Sequence, residues 1–215
     1  MKLYGVNLSP FVQRVKILAA AKGLPVEMVP PPGGSVKSPE YLEINPIGKM
    51  PALQLPDGFT VAESEVILEY LEDSHPKPAC RPRKPDEKAQ MRMISRVCEL
   101  YVGQPLNKTF GLLSPGADRS ALPAILEELN KGLGHLERSL SGKKHAVGTK
   151  FTLADASITP TLFFLTALLP TLGVKNPLKP YPKINKYWKS RAKHAPSATA
   201  IEEMGVALKA MMGGR

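Results

Sequence analysis

The sequence predicts an α/β layer domain followed by an all-helical domain. Three observations carry this. Over roughly the first 75 residues, short apolar runs of strand length alternate with segments of helical spacing. From His75 to Pro85 the chain then carries four prolines among eleven residues, with basic residues between them. Such a stretch continues neither a helix nor a strand. Beyond it only helical periodicity is found. We therefore assign residues 1–76 to the first domain, 77–85 to a linker and 86–215 to a helical domain.

Each element has its own signal. Lys2 to Val6 is short, apolar-rich and compatible with a strand. Ser9-Pro10 reads as an N-cap followed by a first-turn proline, and Gly23 as the left-handed exit, so Pro10 to Lys22 is the first helix. Val26 to Val29 is a second strand, and Pro30 to Lys37, rich in proline and glycine, is a loop. Ser38-Pro39-Glu40 starts a weak helix through Leu42. Met50–Leu55 and Gly58–Val61 form a hairpin around Pro56-Asp57-Gly58. Val66, Ile67, Tyr70 and Leu71 give Ser64 to Leu71 an amphipathic helical spacing, with Glu63 at its approach and Ser64 as cap. Past the linker, helices are expected over 86–102, 122–140, 153–169, 182–193 and 198–211. Thr152 and Asp155 make a capping box at the start of the buried helix Leu153 to Leu169, a structural role.

Composition limits what the chain can be. With 215 residues and 43% hydrophobic content it buries a proper core. Cys80 and Cys98 form no metal spacing, redox pair or disulfide framework, which fits a reducing compartment and a cytoplasmic location. Met1 to Pro10 lacks the charged and apolar regions of a secretory signal. The longest uncharged run, Ala156 to Val174, contains Pro160, Pro170 and four threonines, and reads as a buried core helix and its exit rather than a membrane span. The net charge of +10 is unevenly placed: −3 over residues 1–75 and +13 over 76–215. Lys175 to Lys193 is the densest basic segment, with Tyr181, Tyr187 and Trp188 among its cations. No nucleic-acid motif accompanies it, so it reads as a solvated helix face with a general attraction for anions.

Three local features carry chemistry. The Ser9 hydroxyl stands at a strand-to-helix junction, in the positive end of the helix dipole and among unpaired N–H groups. That place suits an anion, although a plain cap would look the same. Met50-Pro51 opens a strand with proline. If that bond is cis, the Met50 N–H and C=O project sideways as a backbone pair for a peptide-like ligand, although the sequence alone favours trans. Glu63-Ser64 precedes another helix start, able to receive a carboxylate through N–H groups and a hydroxyl.

Together, Ser9-Pro-Phe-Val-Gln-Arg-Val-Lys-Ile, Asn45-Pro-Ile-Gly-Lys-Met-Pro-Ala-Leu, Ala62-Glu-Ser and Thr152-Leu-Ala-Asp155 resemble the cytosolic glutathione transferases over the whole chain. That family joins a thioredoxin-like N-terminal domain to an all-helical C-terminal one. The resemblance implies that Ser9 donates a hydrogen bond to the glutathione thiolate. It also implies that the Met50 backbone, next to Pro51, pairs with the cysteinyl unit and that Glu63 and Ser64 bind the γ-glutamyl end. Lys49, and secondarily Lys37, would meet the glycyl carboxylate, and Phe11 completes the glutathione site. Glutathione enters as co-substrate, with no metal and no resident cofactor. Tyr101, Phe110, Trp188 and the Met211-Met212 tail are candidate walls for a hydrophobic electrophile. A homodimer is the family's expectation, with no specific nucleic-acid partner.

Within the family, Ser-Pro-Phe followed by arginine is closest to the tau class and many bacterial members. The omega class has cysteine where this chain has Ser9, which disfavours chemistry through an enzyme disulfide. The zeta class has Ser-Ser-Cys where this chain has Ser9, Pro10 and Phe11, which places maleylacetoacetate isomerase activity in question. Several classes instead use a tyrosine on the first strand, so Tyr4 is the rival activator. The expected reaction is attack of activated glutathione on a hydrophobic electrophile, in detoxification or catabolism. The alternatives are a non-catalytic glutathione-binding or interaction protein on the same fold, or a glutathione-dependent peroxidase or isomerase.

Overall fold

The computed structural model describes residues 1–114 and 116–213. Its chain divides into two compact units: one holds the residues up to Cys80 together with the C-terminal helix, the other holds Arg81–His194.

The first unit is built on a four-stranded mixed sheet of order β2-β1-β3-β4, with β1 Lys2–Tyr4, β2 Glu27–Val29, β3 Ala52–Gln54 and β4 Thr60–Ala62. β1 and β2 are parallel, as a crossover through a helix requires. β3 runs antiparallel to both β1 and β4, and pairs Ala52 with Tyr4 on one side and with Ala62 on the other. Helix α1 (Pro10–Lys22) makes the crossover, α2 (Pro39–Ile44) precedes β3, and α3 (Ser64–Ser74) follows β4. Gly23 closes α1 at φ 66°, in the left-handed conformation its position predicted.

Polar ties on α1 help hold this unit. Lys22 on α1 is buried against Glu72 on α3 at 2.6 Å and also donates to the carbonyls of His75 and Pro78, while Glu72 accepts the Cys80 N–H. A buried charge is tolerated when paired and hydrogen-bonded in this way. The residues after α3 are thereby fastened to the sheet domain although they have no secondary structure. α9 (Ala195–Gly213) packs on α1, where Glu203 receives Gln13 Nε2 at 3.0 Å and the Lys16 ammonium.

The second unit is helical. α4 (Pro85–Val97) runs through a π-helical turn, Cys98–Gly103, into α5 (Gln104–Lys108) and a 3₁₀ segment to Leu113. α6 (Leu122–Ser139), α7 (Leu153–Leu168) and α8 (Pro182–Arg191) complete it. Gly132 on α6 is where the π-helical turn comes closest, since a side-chain carbon there would lie 1.7 Å from the Tyr101 carbonyl oxygen. The apolar segment Leu153–Leu172 is long enough to cross a membrane by composition, and its most apolar window is 83% buried inside this unit. Its start is the expected capping box. Asp155 Oδ2 accepts both the N–H and the hydroxyl of Thr152 at 2.9 Å.

The expected elements recur with shifted ends. α2 reaches Ile44, two residues beyond the predicted stop, and α3 continues to Ser74. One cap is reassigned: Ser64 is the first residue of α3, and Glu63 occupies the cap position without a side-chain cap bond.

Candidate functional site

The antiparallel register around Ala52 builds the site. Because Tyr4, Ala52 and Ala62 stand in one row across the sheet, the segments just beyond them leave the same end of it. These are residues 5–9 after β1, Met50-Pro51 before β3 and Glu63-Ser64 after β4. The first piece, more than forty residues from the other two in the chain, is thus brought to the same end of the sheet. The sequence places each on a helix or strand end, and the register brings them together.

Ser9 is the N-cap of α1 and is half-buried. Its Oγ accepts the Val12 N–H at 3.4 Å, a long bond, and so keeps its own O–H as a donor. Phe11, the second residue of α1, carries the Arg14 guanidinium 4.8 Å from its ring centre. Tyr4, the rival on the first strand, is placed differently. It is 7% exposed, packs edge-on against Tyr41 and gives its hydroxyl to Gln54 at 3.1 Å. Gln54 pairs with Lys2, toward the opposite end of the strand.

The Asn45–Met50 loop is held by its own carbonyl. Lys49 O accepts the Tyr41 hydroxyl and the Asn45 amide, each at 2.7 Å, which leaves the Lys49 side chain exposed. Burial raises the Tyr41 phenol above its ordinary range, so it remains a donor here. Gly48 has φ 61° and a side-chain carbon on it would meet the Lys37 ammonium at 2.9 Å. Lys37 and Lys49 therefore put two exposed cations on one loop edge. The Met50–Pro51 peptide bond is cis.

At the third piece, Glu63 is exposed and has φ 65° and ψ 117°, a conformation that L residues rarely adopt. Ser64 is buried, and its Oγ accepts from Arg14 Nη1 at 3.3 Å, while the same nitrogen lies 3.3 Å from Glu65 Oε1. Arg14 is 2% exposed. It links the α1 and α3 helix starts, a role the sequence reading did not give it. The available signal was a cation on a helix face otherwise made of Val12, Val15, Leu18 and Ala19.

The second-unit candidates fall in different environments. Tyr101, on the π-helical turn, is 52% exposed and meets the His135 ring edge-on at 5.7 Å. Phe110 is half-buried against Phe164, ring centres 5.5 Å apart. Trp188 lines a groove of about 360 Å³ between the end of α7 and α8. Met212, on α9, is 47% exposed. Among the described residues no group of three His, Cys, Asp or Glu side chains is placed to hold a metal ion.

Comparison with known proteins places this geometry. The glutathione S-transferase N-terminal domain matches residues 3–79, and the C-terminal domain of the same family matches residues 83–194. The chain belongs to the glutathione S-transferase family. Family membership carries the fold, thioredoxin-like in the first unit and helical in the second, and a glutathione-dependent enzyme. Among curated relatives, a maleylacetoacetate isomerase from Rattus norvegicus is 32% identical over 85% of this chain and 83% of its own. A glutathione S-transferase from Pseudomonas putida is 34% identical over 72% of this chain and 70% of its own. Among solved structures, a glutathione S-transferase from Methylobacterium radiotolerans in complex with glutathione sulfonate superposes with a TM-score of 0.78 at 27% identity, covering 93% of each chain. A glutathione transferase from Phanerochaete chrysosporium in complex with oxidized glutathione gives 0.80 at 26%, covering 95% of this chain and 96% of its own.

Proposed function

We propose that this protein activates the thiol of glutathione through Ser9 and directs the thiolate at a hydrophobic electrophile. The observation that carries the reading is the convergence of Ser9, Met50-Pro51 and Glu63-Ser64 at one end of the sheet. In that assignment the Met50 backbone pairs with the cysteinyl unit. Glu63 and the α3 start, with Ser64 braced by Arg14, take the γ-glutamyl end. Lys49 and Lys37 face the glycyl carboxylate, and Phe11 borders the site.

The energetics are adequate. A free thiol with pKa about 8.5 is only a few per cent ionised at neutral pH. Lowering it by two units takes about 2.7 kcal/mol of preferential stabilisation of the thiolate. One hydroxyl donor and the N-terminus of a thirteen-residue helix are together of that order. The thiol proton leaves to solvent, the thiolate accepts the Ser9 O–H, and the sulfur then attacks carbon without a covalent bond to the enzyme. The engaged hydroxyl of Tyr4 favours Ser9 as the donor. For the acceptor, Tyr101 offers an exposed ring, while Phe110 is partly committed to packing.

A second reading is glutathione-dependent isomerisation, in which the thiolate adds to a carbon–carbon double bond, the bond rotates and the thiolate leaves unchanged. It is favoured by the relatives named maleylacetoacetate isomerase, although Pro10 and Phe11 depart from the zeta-class sequence. Both readings share Ser9 and the glutathione subsite. The test is a panel of aryl halides, peroxides and maleylacetoacetate on wild type and on Ser9→Ala. Activity that falls roughly 100-fold in the variant, with the bound thiol's pKa rising by up to about two units, is the expected result. Equal rates and equal thiol pKa would remove Ser9 from the mechanism. Wild-type binding of glutathione without turnover of any panel member would favour a binding protein on this fold.

A further inference from the structure

Ser9 closes a tight turn that is braced from the C-terminal helix. The Ser9 N–H donates to the Val6 carbonyl at 3.0 Å, so Asn7 and Leu8 form the tip of the turn. On the strand side, the Gly5 N–H is tied to the Val29 carbonyl at 2.9 Å. The tip itself is gripped twice by α1. Gln13 Nε2 donates to the Asn7 main-chain carbonyl at 2.9 Å, and Lys16 Nζ donates to Asn7 Oδ1 at 2.8 Å. Both grips converge on α9. There Glu203 Oε2 accepts Gln13 Nε2 at 3.0 Å and pairs with the Lys16 ammonium.

The chemistry of Gln13 shows how closely this arrangement is specified. Gln13 is 0% exposed, and its Oε1 has no hydrogen-bond partner among the described residues. Turning the amide over would set that oxygen against the Asn7 carbonyl and the Glu203 carboxylate, both acceptors. The neighbours therefore dictate that Nε2 faces them. An unsatisfied buried acceptor costs stability, and here it accompanies two donor bonds that join the turn to α9. The Lys16 and Glu203 side chains are 24% and 29% exposed, so their pair is better shielded from solvent than a surface ion pair. Gln13 also meets Ser9 directly, since its main-chain N–H donates to the Ser9 carbonyl at 3.1 Å.

We infer that Glu203 on α9 is a positioning residue for Ser9, acting through Gln13 and Lys16 on the Asn7–Leu8 turn. The inference rests on Ser9 as the donor to the glutathione thiolate. Without the Glu203 carboxylate, the Gln13 amide and the Lys16 ammonium lose the group that holds them against Asn7. The turn then relaxes and the Ser9 hydroxyl leaves its line to the sulfur. Hydrogen bonds weaken steeply with misalignment, and a displacement of about 1 Å in a positioned group can cost up to about 100-fold.

Bound glutathione is titrated by the ultraviolet absorbance of its thiolate on wild type, Ser9→Ala, Glu203→Ala, Glu203→Gln and Gln13→Met, with folds checked by circular dichroism. Charge alone would move the midpoint down. Removing the Glu203 carboxylate and unpairing Lys16 both favour a nearby thiolate. Loss of the Ser9 donor moves it up. In Glu203→Ala the midpoint is expected to rise by about one unit, a tenfold loss of thiolate at lower pH. Gln13→Met, which changes no charge, should raise it likewise. Glu203→Gln keeps an acceptor oxygen for Gln13 and Lys16 and should leave the midpoint near the wild-type value. If Ser9→Ala raises the midpoint while Glu203→Ala leaves it at or below wild type, the positioning role is overturned and the Ser9 reading stands. A midpoint as high in Glu203→Gln as in Glu203→Ala would overturn it too. Should Glu203→Ala not fold, a wild-type midpoint in Gln13→Met has the same force. An unchanged midpoint in Ser9→Ala removes Ser9 from activation, and the role of Glu203 with it.

Discussion

Two helix starts in this protein use the same local device and end in opposite states. At α7, Asp155 is fully buried and its carboxylate accepts Thr152 N–H and hydroxyl, the Ala146 N–H at 3.1 Å and Arg191 Nη1 at 3.3 Å, with His145 Nδ1 also at 3.3 Å. At α1, Ser9 is half-buried and accepts a single long bond from Val12. Both carboxylate oxygens at the first start are engaged by protein groups. The second cap retains a donor and an open side. A saturated cap can only hold structure, whereas one with spare bonding capacity can take an exogenous partner.

The largest expected break of this contrast is Asp155→Ala. It strands the Arg191 guanidinium, which is 1% exposed, without its carboxylate, and should lower unfolding free energy by about 3–5 kcal/mol in urea titration. Turnover per folded molecule should be unchanged. An Asp155→Ala protein as stable as wild type would remove the structural assignment. Ser9→Ala is the mirror case. Its loss appears in turnover and thiol pKa, and its stability should fall by no more than about 1 kcal/mol, the ordinary worth of a cap. A larger stability loss with intact activity would make Ser9 the structural cap and erase the difference between the two starts.

Glu63 sharpens the contrast at smaller scale. A non-glycine residue at φ 65° holds strain of roughly 1–3 kcal/mol. Glu63→Gly and Glu63→Ala should lose glutathione affinity equally by calorimetry, since both lack the carboxylate. The glycine variant should be the more stable by about 1 kcal/mol, because glycine adopts that backbone freely. Equal stability of the two would show that the conformation is unstrained.

The smallest effect concerns His194, which stacks on Phe151 with centres 4.7 Å apart. Burial, then the positive charge of Arg191 and the neighbouring His145, lowers its pKa from 6.5 to about 4. Between those values the unfolded chain binds a proton that the folded chain does not. Stability from this group is therefore complete above about 6.5 and is lost as pH falls toward 4. His194→Phe keeps the stack and should flatten that part of a stability–pH curve. A curve as steep in the variant would assign the slope to other groups.

What could be read in the sequence follows interaction range. Ser9-Pro10, Gly23, the Pro56-Asp57-Gly58 turn and Thr152–Asp155 each act over two to four residues, so composition and spacing suffice. The buried run from Ala156 is legible for the same reason, as its apolarity continues on all faces. At α3 residue preference points to Ser64 as the cap, since serine is a favoured cap residue and glutamate is not. The backbone angle at Glu63 and the Arg14 bond to Ser64 decided between them.

The sequence by itself thus determined most of the elements and most of their caps, the fold class, and the motifs that define the family. Tertiary structure decided the rest. The pairing of Ala52 with both Tyr4 and Ala62 brought three distant segments to one end of the sheet. Packing sent the Tyr4 hydroxyl to Gln54 and left Ser9 open. It also turned Asp155 from a local capping residue into the partner of Arg191. Strand register and buried charge pairs join residues tens of positions apart, and no local pattern of residue types encodes which two will meet.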